Sequence, residues 1–157
     1  MTNSMITLTV NGKEHSLSVD PTRRLFDVLS DDLGLRSVRC GCGIGKCGTC
    51  TVLIDEKAVS SCLILAGQAE GSQITTVEGL AQDGRLHPVQ EAFIEQRGFQ
   101  CAYCTPGFIL STVALLKEQP DPDPAAIKAY LAGNICRCGS YLNILEAVIA
   151  SSSKLGP

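Results

Sequence analysis

Nine cysteines are the residues of this 157-residue chain best able to do chemistry. Three of them, Cys42, Cys47 and Cys50, lie in the segment CGCGIGKCGTC with the spacing C-x4-C-x2-C, and Cys62 follows after eleven further residues. This spacing, completed by a distant fourth cysteine, is a known ligand pattern for a [2Fe-2S] cluster. A set that began at Cys40 would have the spacing C-x6-C-x2-C, which does not fit. We therefore predict Cys42, Cys47, Cys50 and Cys62 as one set of metal ligands and Cys40 as a bystander.

The glycines between these cysteines suit the same purpose. Without a side chain, a glycine can adopt positive φ and let the backbone curl close to a bulky inorganic core. The N–H groups of such a loop can point at sulfur, which stabilises a cluster whose two Fe(III), two sulfides and four thiolates carry a net charge of about −2. The cofactor-binding glycines predicted in this way are Gly41, Gly43, Gly45 and Gly48.

A second group of four cysteines lies in the other half of the chain, with the spacing C-x2-C-x31-C-x-C. The predicted metal ligands of this group are Cys101, Cys104, Cys136 and Cys138. Each pair stands just before a predicted helix, one with Pro106 at its first position and one preceded by Gly139-Ser140. Because helix N-termini carry partial positive charge, both would favour a single anionic centre. We predict a second four-thiolate site here.

Structural zinc is the main alternative for both cysteine groups. Zinc sites commonly use paired C-x2-C knuckles, whereas C-x4-C-x2-C with a remote fourth ligand, and C-x-C, suit zinc poorly. The histidines, His15 and His87, lie far in sequence from the cysteines, and His87 would simply help to begin a helix at Pro88. Disulfides would suit a secreted protein, but the N-terminus MTNSMITLTVNGKEH lacks the pattern of an export signal. We therefore expect a soluble, cytoplasmic protein whose thiols bind metal.

Charge and hydropathy exclude two classes of partner. The formal net charge of −3 leaves no broad basic field to bind nucleic acid. The longest mostly apolar run, FILSTVALL, is far shorter than the ~20 residues that a membrane-spanning helix needs. We predict neither a nucleic-acid partner nor a membrane span.

The first half of the chain is predicted to be a small mixed sheet around one helix. Polarity alternates before and after Asn11-Gly12, which is a strong β-hairpin signal. Asp20-Pro21 begins a helix that ends at Gly34. The predicted strands cover residues 5–10, 15–19, 51–54, 58–64 and 74–77.

The second half is predicted to be entirely helical. Strand signals stop near residue 80, and helical segments then begin at Pro88 and Pro106. After the rigid break PDPDP, the segments AAIKAYLAG and YLNILEAVIAS complete a bundle of four helices. The chain is therefore predicted to have an α+β fold with two domains, over residues 1–80 and 81–157.

Together these motifs resemble a known family. The segments GCGIGKCGTCTVLIDEKAVSSC, QCAYCTPGFIL and GNICRCGSYLNILEAV, in this order, are similar to the iron–sulfur subunit of the molybdenum hydroxylase (xanthine oxidase) family. The likeness covers residues 6–150. It implies an N-terminal β-grasp, plant-type ferredoxin-like domain followed by an all-α four-helix domain, each binding one [2Fe-2S] cluster.

The resemblance also implies partners and a direction of electron flow. In the family, the helical-domain cluster lies beside a molybdopterin cofactor held by a large subunit, and the ferredoxin-domain cluster lies nearer the next acceptor, often FAD on a medium subunit. Gln100 and Cys138 match the positions that contact the pterin. Since substrate is hydroxylated at molybdenum with oxygen from water, we predict no catalytic residue on this chain. Its role in the hetero-oligomer would be to relay single electrons.

Two departures from the family pattern leave the acceptor open. Ala102 stands where glycine is usual, and Gly139-Ser140 replaces the common Thr-Gly. The second variant is similar to a branch with isoquinoline- and nicotinate-type oxidoreductases, some of which lack a flavin subunit. The segment CTPG, in contrast, is usual in the flavin-containing branch. A free-standing ferredoxin is the alternative function.

Overall fold

A five-stranded mixed sheet forms the first half of the chain in the computed structural model, which describes residues 2–156. The strands are β1 (Ser4–Val10), β2 (Lys13–Val19), β3 (Thr51–Ile54), β4 (Lys57–Ser60) and β5 (Gln73–Thr75). Their order across the sheet is β2-β1-β5-β3-β4, with β1 and β5 parallel and the other neighbours antiparallel. This is the β-grasp arrangement that the resemblance implies.

The first hairpin has the register that its sequence predicts. Asn11 and Gly12 adopt φ of 51° and 75°, and Val10 pairs with Lys13 across the turn. Positive φ at both central residues is the conformation of the tight hairpin turn that Asn-Gly favours. The alternation along β1 then buries Leu8 and Val10 in the core.

The helix that packs on this sheet starts later than predicted. Helix α1 covers Leu25–Asp27 and continues as a π-helical turn over Val28–Asp32. The backbone before it is extended, because the Leu25 N–H donates to the Ile64 carbonyl at 2.7 Å. Tertiary pairing with the segment after β4 thus replaces the first predicted helical turn. Gly34 follows the helix with φ of 67°, as its predicted end requires.

The strand predicted over residues 58–64 ends at Ser60, and Ser61–Leu63 form a 3-10 turn. The Ser61 hydroxyl donates to the Cys50 carbonyl at 2.7 Å, and the Ser61 N–H donates to the same oxygen at 3.3 Å. These bonds hold the chain out of the sheet. As a consequence Cys62 lies opposite Cys50 instead of continuing a strand.

The second half consists of four helices, as predicted. They are α2 (Pro88–Glu95), α3 (Thr105–Glu118), α4 (Pro124–Tyr130) and α5 (Tyr141–Leu155). His87 caps α2, since its Nδ1 accepts from the Val89 N–H at 3.2 Å. Pro106 is the second residue of α3 and not the first, because Thr105 already has helical geometry. Within residues 2–156, no helix combines the length and the apolar composition needed to cross a membrane.

Strand β3 connects two hydrophobic cores. Val52 is fully buried in the core formed by the sheet and α1. Leu53, the next residue along the strand, is buried in the core of the four helices. Successive strand residues point to opposite faces, so one face of the sheet shares a core with α1 and the other contacts α3. The predicted α+β fold, a β-grasp half followed by a four-helix half, is confirmed.

Candidate metal centres

The first cysteine group forms two pairs of contacting thiols. Cys42 and Cys47, from the loop between α1 and β3, contact each other. Cys50, at the end of this loop, contacts Cys62 in the turn after β4. Cys42 is exposed, whereas Cys50 and Cys62 are each only 3% exposed. The structure thus arranges the four predicted ligands as an outer pair and a buried pair.

Backbone N–H groups surround the outer pair. The N–H groups of Ile44 and Lys46 donate to Cys42 Sγ at 3.4 and 3.3 Å, and the Cys42 N–H donates to Cys47 Sγ at 3.3 Å. The Ile44 and Lys46 donors lower the pKa of Cys42 to about 7, which favours the thiolate that ligates metal. Burial has the opposite effect on Cys50 and raises its pKa to about 11.

The predicted glycines let the loop close around these sulfurs. Positive φ values of 69°, 73° and 65° occur at Gly43, Gly45 and Gly48. A Cβ at Gly41 would lie 2.7 Å from Cys47 Sγ, which is too close for any side chain. A Cβ at Gly48 would lie 2.7 Å from the Gly133 carbonyl oxygen. Gly48 therefore also lets the helical half approach, a role that the sequence did not predict.

The second cysteine group has the same two-pair arrangement. The Cys101 thiol contacts Cys138, and the Cys104 thiol contacts Cys136. Cys101 and Cys138 are exposed, whereas Cys136 is 6% exposed. Burial raises the pKa of Cys104 to about 12. The four predicted ligands of this group again form an outer pair and an inner pair.

Two helix beginnings lie beside this second group, as predicted. Cys104 is the N-cap of α3, and Ser140 is the N-cap of α5 and donates its N–H to Cys136 Sγ at 3.4 Å. Burial acts to raise the pKa of Cys136, but the donors from Ser140 and other neighbours outweigh it and leave that pKa below its usual value. The buried Thr105 hydroxyl has no hydrogen-bond partner among the described residues. An anionic, sulfur-rich group beside Cys104 would supply the missing acceptor.

Gln100 and Cys138 lie together at the surface. The Gln100 Nε2 donates to the Cys138 carbonyl at 3.3 Å, and both residues are exposed. The structure therefore brings these two predicted cofactor contacts into one exposed patch next to the second cysteine group. Their contact with a pterin stays a prediction.

The pairing of the thiols fits a binuclear centre better than a single ion. A structural zinc would need four ligands around one point. A [2Fe-2S] cluster instead takes four thiolates on two irons, which matches two pairs. The pairs, the N–H donors to sulfur and the unpartnered Thr105 hydroxyl all fit [2Fe-2S] clusters.

A backbone hydrogen bond joins the two cysteine groups. The Ile135 N–H donates to the Cys47 carbonyl at 2.9 Å, and Ile135 directly precedes Cys136. A predicted ligand of the first group is thus one hydrogen bond and one peptide away from a predicted ligand of the second. Four predicted ligands also line one cavity of about 480 Å³, namely Cys42, Cys47, Cys101 and Cys104. The two groups therefore meet at the junction of the two halves.

Asn134 is a residue of this junction that sequence reasoning missed. Its side chain is 7% exposed, donates to the Gly48 carbonyl at 3.2 Å and accepts from the Ser111 hydroxyl at 3.0 Å. Asn134 thereby ties the first cysteine loop to α3. Its position two residues before Cys136, in the segment GNICRC, was the available signal.

Two protein-family profiles match the chain. The family described as "2Fe-2S iron-sulfur cluster binding domain" matches residues 8–81. The family described as "[2Fe-2S] binding domain" matches residues 76–149. The first match contains the first cysteine group and the second contains the other.

Similar proteins cover nearly the whole chain. The nicotinate dehydrogenase small FeS subunit of Eubacterium barkeri is 45% identical over 148 residues, which are 94% of this chain and 94% of that subunit. A probable xanthine dehydrogenase subunit of Bacillus subtilis is 44% identical over 140 residues, which are 89% of this chain and 80% of that protein. In the crystal structure of quinoline 2-oxidoreductase from Pseudomonas putida 86, one chain matches with a TM-score of 0.93 and 38% identity, covering 98% of this chain and 96% of that one.

Proposed function

The chain belongs to the iron–sulfur subunits of the molybdenum hydroxylase (xanthine oxidase) family, and from this membership we propose how it relays electrons and what it binds. Its relatives are subunits of oxidoreductase complexes. The chain is accordingly the electron-transfer subunit of a molybdenum-dependent hydroxylase or dehydrogenase, with two [2Fe-2S] clusters as cofactors. The substrate site belongs to a partner chain.

The proposed metal ligands are the two cysteine groups. The first set is Cys42, Cys47, Cys50 and Cys62, and the second set is Cys101, Cys104, Cys136 and Cys138. Their support is the pairing of thiols within each set and the N–H donors aimed at Cys42 and Cys136. When bound, the two clusters supply two one-electron carriers. Cys40, which is exposed and belongs to neither set, is proposed to have no ligand role.

The observation that carries the relay is the contact between the two sets. The Ile135 N–H to Cys47 carbonyl bond of 2.9 Å, together with the peptide that joins Ile135 to Cys136, offers a short connection between them. The Asn134 bond to the Gly48 carbonyl holds the same two segments in register. A chain that only stored metal would not need its two sites in contact, whereas a relay does.

We propose that the surface beside the second set meets the large molybdopterin-binding subunit. Gln100 and Cys138 are exposed there and are the proposed pterin contacts. Leu142, in the first turn of α5, is 77% exposed, and Tyr141 beside it is 49% exposed. Exposed apolar side chains next to a cofactor contact suit an interface between subunits.

The surface beside the first set is proposed to face the next acceptor. Ile44, between two predicted ligands, and Leu63, directly after Cys62, are each 61% exposed. Gly45, the residue after Ile44, lies against Leu63, since a Cβ added to Gly45 would collide with the Leu63 side chain. FAD on a medium subunit is the proposed acceptor.

We further propose that the two domains divide near residue 80, as 1–80 and 81–157. The sheet half ends with the 3-10 turn Val77–Gly79, and the first helix of the other half begins at Pro88. Leu53 and Leu80 pack in the core of the helices, so the two domains share an apolar contact. We propose that both remain docked during electron transfer.

Metal analysis and a redox titration of the purified protein test this function. We expect about four irons per chain, a reddish-brown colour and two distinct EPR signals on reduction, because two [2Fe-2S] clusters would be present. A colourless protein with two zinc ions per chain would overturn the electron-transfer function.

Purification of the native complex tests the partner. We expect a large molybdenum-binding chain to co-purify with this one. Recovery of a monomer that is fully active as an electron carrier would favour the free-standing ferredoxin instead.

A further inference from the structure

Arg39, in the first half of the chain, contacts the loop between Cys101 and Cys104 in the second half. Its Nη1 donates to the Ala102 carbonyl at 2.6 Å and to the Tyr103 carbonyl at 3.3 Å. Its guanidinium also lies over the Tyr103 ring, 5.5 Å from the ring centroid. In return the Tyr103 hydroxyl donates to the Cys40 carbonyl at 2.9 Å. Arg39 and Tyr103 thus form a reciprocal clamp between the two halves, across the proposed metal sites.

The clamp acts on one particular peptide group. The Ala102 carbonyl that accepts from Arg39 and the Tyr103 N–H belong to the same peptide bond. A trans peptide is planar, so its N–H points away from its carbonyl. The Tyr103 N–H accordingly lies on the side away from Arg39, and there it acts to lower the pKa of the Cys101 thiol. Arg39 therefore holds, through the carbonyl of this peptide, an N–H group that acts on a proposed cluster ligand.

The conformation of this peptide needs an external anchor. Ala102 has φ of 59°, in the left-handed region that residues with a Cβ seldom occupy. Such a conformation persists only where surrounding contacts stabilise it. The two bonds from Arg39 are contacts of this kind.

The positive charge of Arg39 also affects the Ala102–Tyr103 peptide. Within residues 2–156, Arg39 forms no ion pair with a carboxylate. An uncompensated cation that polarises a peptide makes its N–H a stronger donor. Hydrogen bonds to the sulfurs and nearby positive charge both stabilise the more negative, reduced form of a cluster.

We propose that Arg39 is a positioning residue that raises the reduction potential of the cluster bound by Cys101, Cys104, Cys136 and Cys138, acting from the other half of the chain through the Ala102–Tyr103 peptide. The inference rests on the proposed function, since it needs that set of four ligands. It gives the first half of the chain control over the direction in which electrons pass between the two clusters.

The test compares Arg39→Met with Arg36→Met in the cluster-loaded holoenzyme, by redox titration of both reduced EPR signals. Arg36 is exposed and contributes only its backbone carbonyl, which accepts from Arg39 Nε at 3.1 Å. Arg36→Met therefore removes an equal charge three residues away and leaves the clamp in place. We expect Arg39→Met to lower the reduction potential of this cluster by about 59 mV relative to that of the other cluster. For a one-electron couple this is a tenfold shift of the equilibrium towards reduction of the other cluster. Arg36→Met should shift it less than twofold.

A third variant, Arg39→Lys, separates position from charge. It keeps the cation but loses the planar fork, so we expect a shift of the same sign and about threefold. If Arg39→Met does not retain iron, Arg39→Lys alone tests the proposal. Equal shifts of both signals, equal effects of Arg36→Met and Arg39→Met, or no shift in iron-replete Arg39→Lys would each overturn the proposal. A wild-type protein without two reducible signals would instead overturn the proposed function.

Discussion

At the scale of single residues, the chemistry depends on which thiols are paired and which backbone groups face them. Cys40 and Cys42 are two residues apart and both exposed. Only Cys42 accepts from the N–H groups of Ile44 and Lys46 and contacts Cys47. The Cys40 carbonyl instead accepts a hydrogen bond from the Tyr103 hydroxyl. Near neighbours in sequence thus have different roles, because the loop turns between them.

Replacing each of these cysteines by serine tests the register of the first ligand set. We expect Cys42→Ser to lose or strongly perturb one reduced EPR signal and to lower the iron content towards about two per chain, since a hydroxyl is a poor ligand for iron at neutral pH. Cys40→Ser is the matched control, and it should keep both signals and about four irons. Loss of a cluster in Cys40→Ser would show that the proposed register is wrong.

At the scale of elements, the junction depends on small groups that let the two halves come close. The Gly48 carbonyl accepts from the Thr51 hydroxyl at 2.7 Å and from the Asn134 amide at 3.2 Å. A Cβ at Gly107, in the first turn of α3, would collide with this same oxygen. The start of α3 can therefore pack directly on the first cysteine loop only because Gly107 has no side chain.

Asn134→Ala tests how much the junction depends on the buried side-chain amide of Asn134. The change removes two hydrogen bonds and leaves the Ser111 hydroxyl without its acceptor. We expect the free energy of unfolding to fall by about 2 kcal/mol, which corresponds to roughly 4–8 °C in apparent Tm for a chain of this size. Thermal denaturation of the iron-loaded protein measures the change.

Asn143→Ala is the control for this prediction. Asn143 is exposed on α5, and its side chain makes one bond, to the Gln96 carbonyl at 3.2 Å. We expect a change within about 0.5 kcal/mol, as is usual at a surface position. Equal destabilisation by both variants would contradict a special role of Asn134.

At the scale of the whole molecule, exposed apolar side chains lie beside each of the two cysteine groups. Leu142 is the most exposed large apolar side chain near the second group, and Ile44 and Leu63 are exposed beside the first. A relay must be approached by a donor at one end and by an acceptor at the other. These exposed side chains suit the two contacts that the proposed relay needs.

Leu142→Glu tests the proposed contact with the large subunit. Placing a charge at the centre of an apolar interface commonly costs about 2 kcal/mol, which is roughly 30-fold in Kd. We therefore expect much less of the large chain to co-purify, while the iron content and both EPR signals are kept. Met5→Glu is the control, because Met5 is 67% exposed on β1 in the sheet half. Equal losses in both variants would exclude Leu142 as part of this interface.

Local sequence patterns predicted most of the fold. The Asn11-Gly12 hairpin was predictable because few residue pairs accept two positive φ angles in succession. The helices after Pro88 and Pro106 were predictable from the period of their apolar residues. The late start of α1 and the early end of β4 were not, because backbone bonds to distant segments override local propensity there. Those bonds join residues about forty and about ten positions apart.

The sequence by itself predicted which eight of the nine cysteines form two sets, because Cys40 does not fit the spacing of the first set. It also determined that glycines must line the first loop. Only the tertiary structure decided how the thiols pair, that Ile135 bonds to Cys47, and that Arg39 reaches the Ala102 carbonyl from the other half. Spacing constrains ligands that lie in one loop, whereas contacts between residues some sixty to ninety positions apart depend on how the two cores pack against β3.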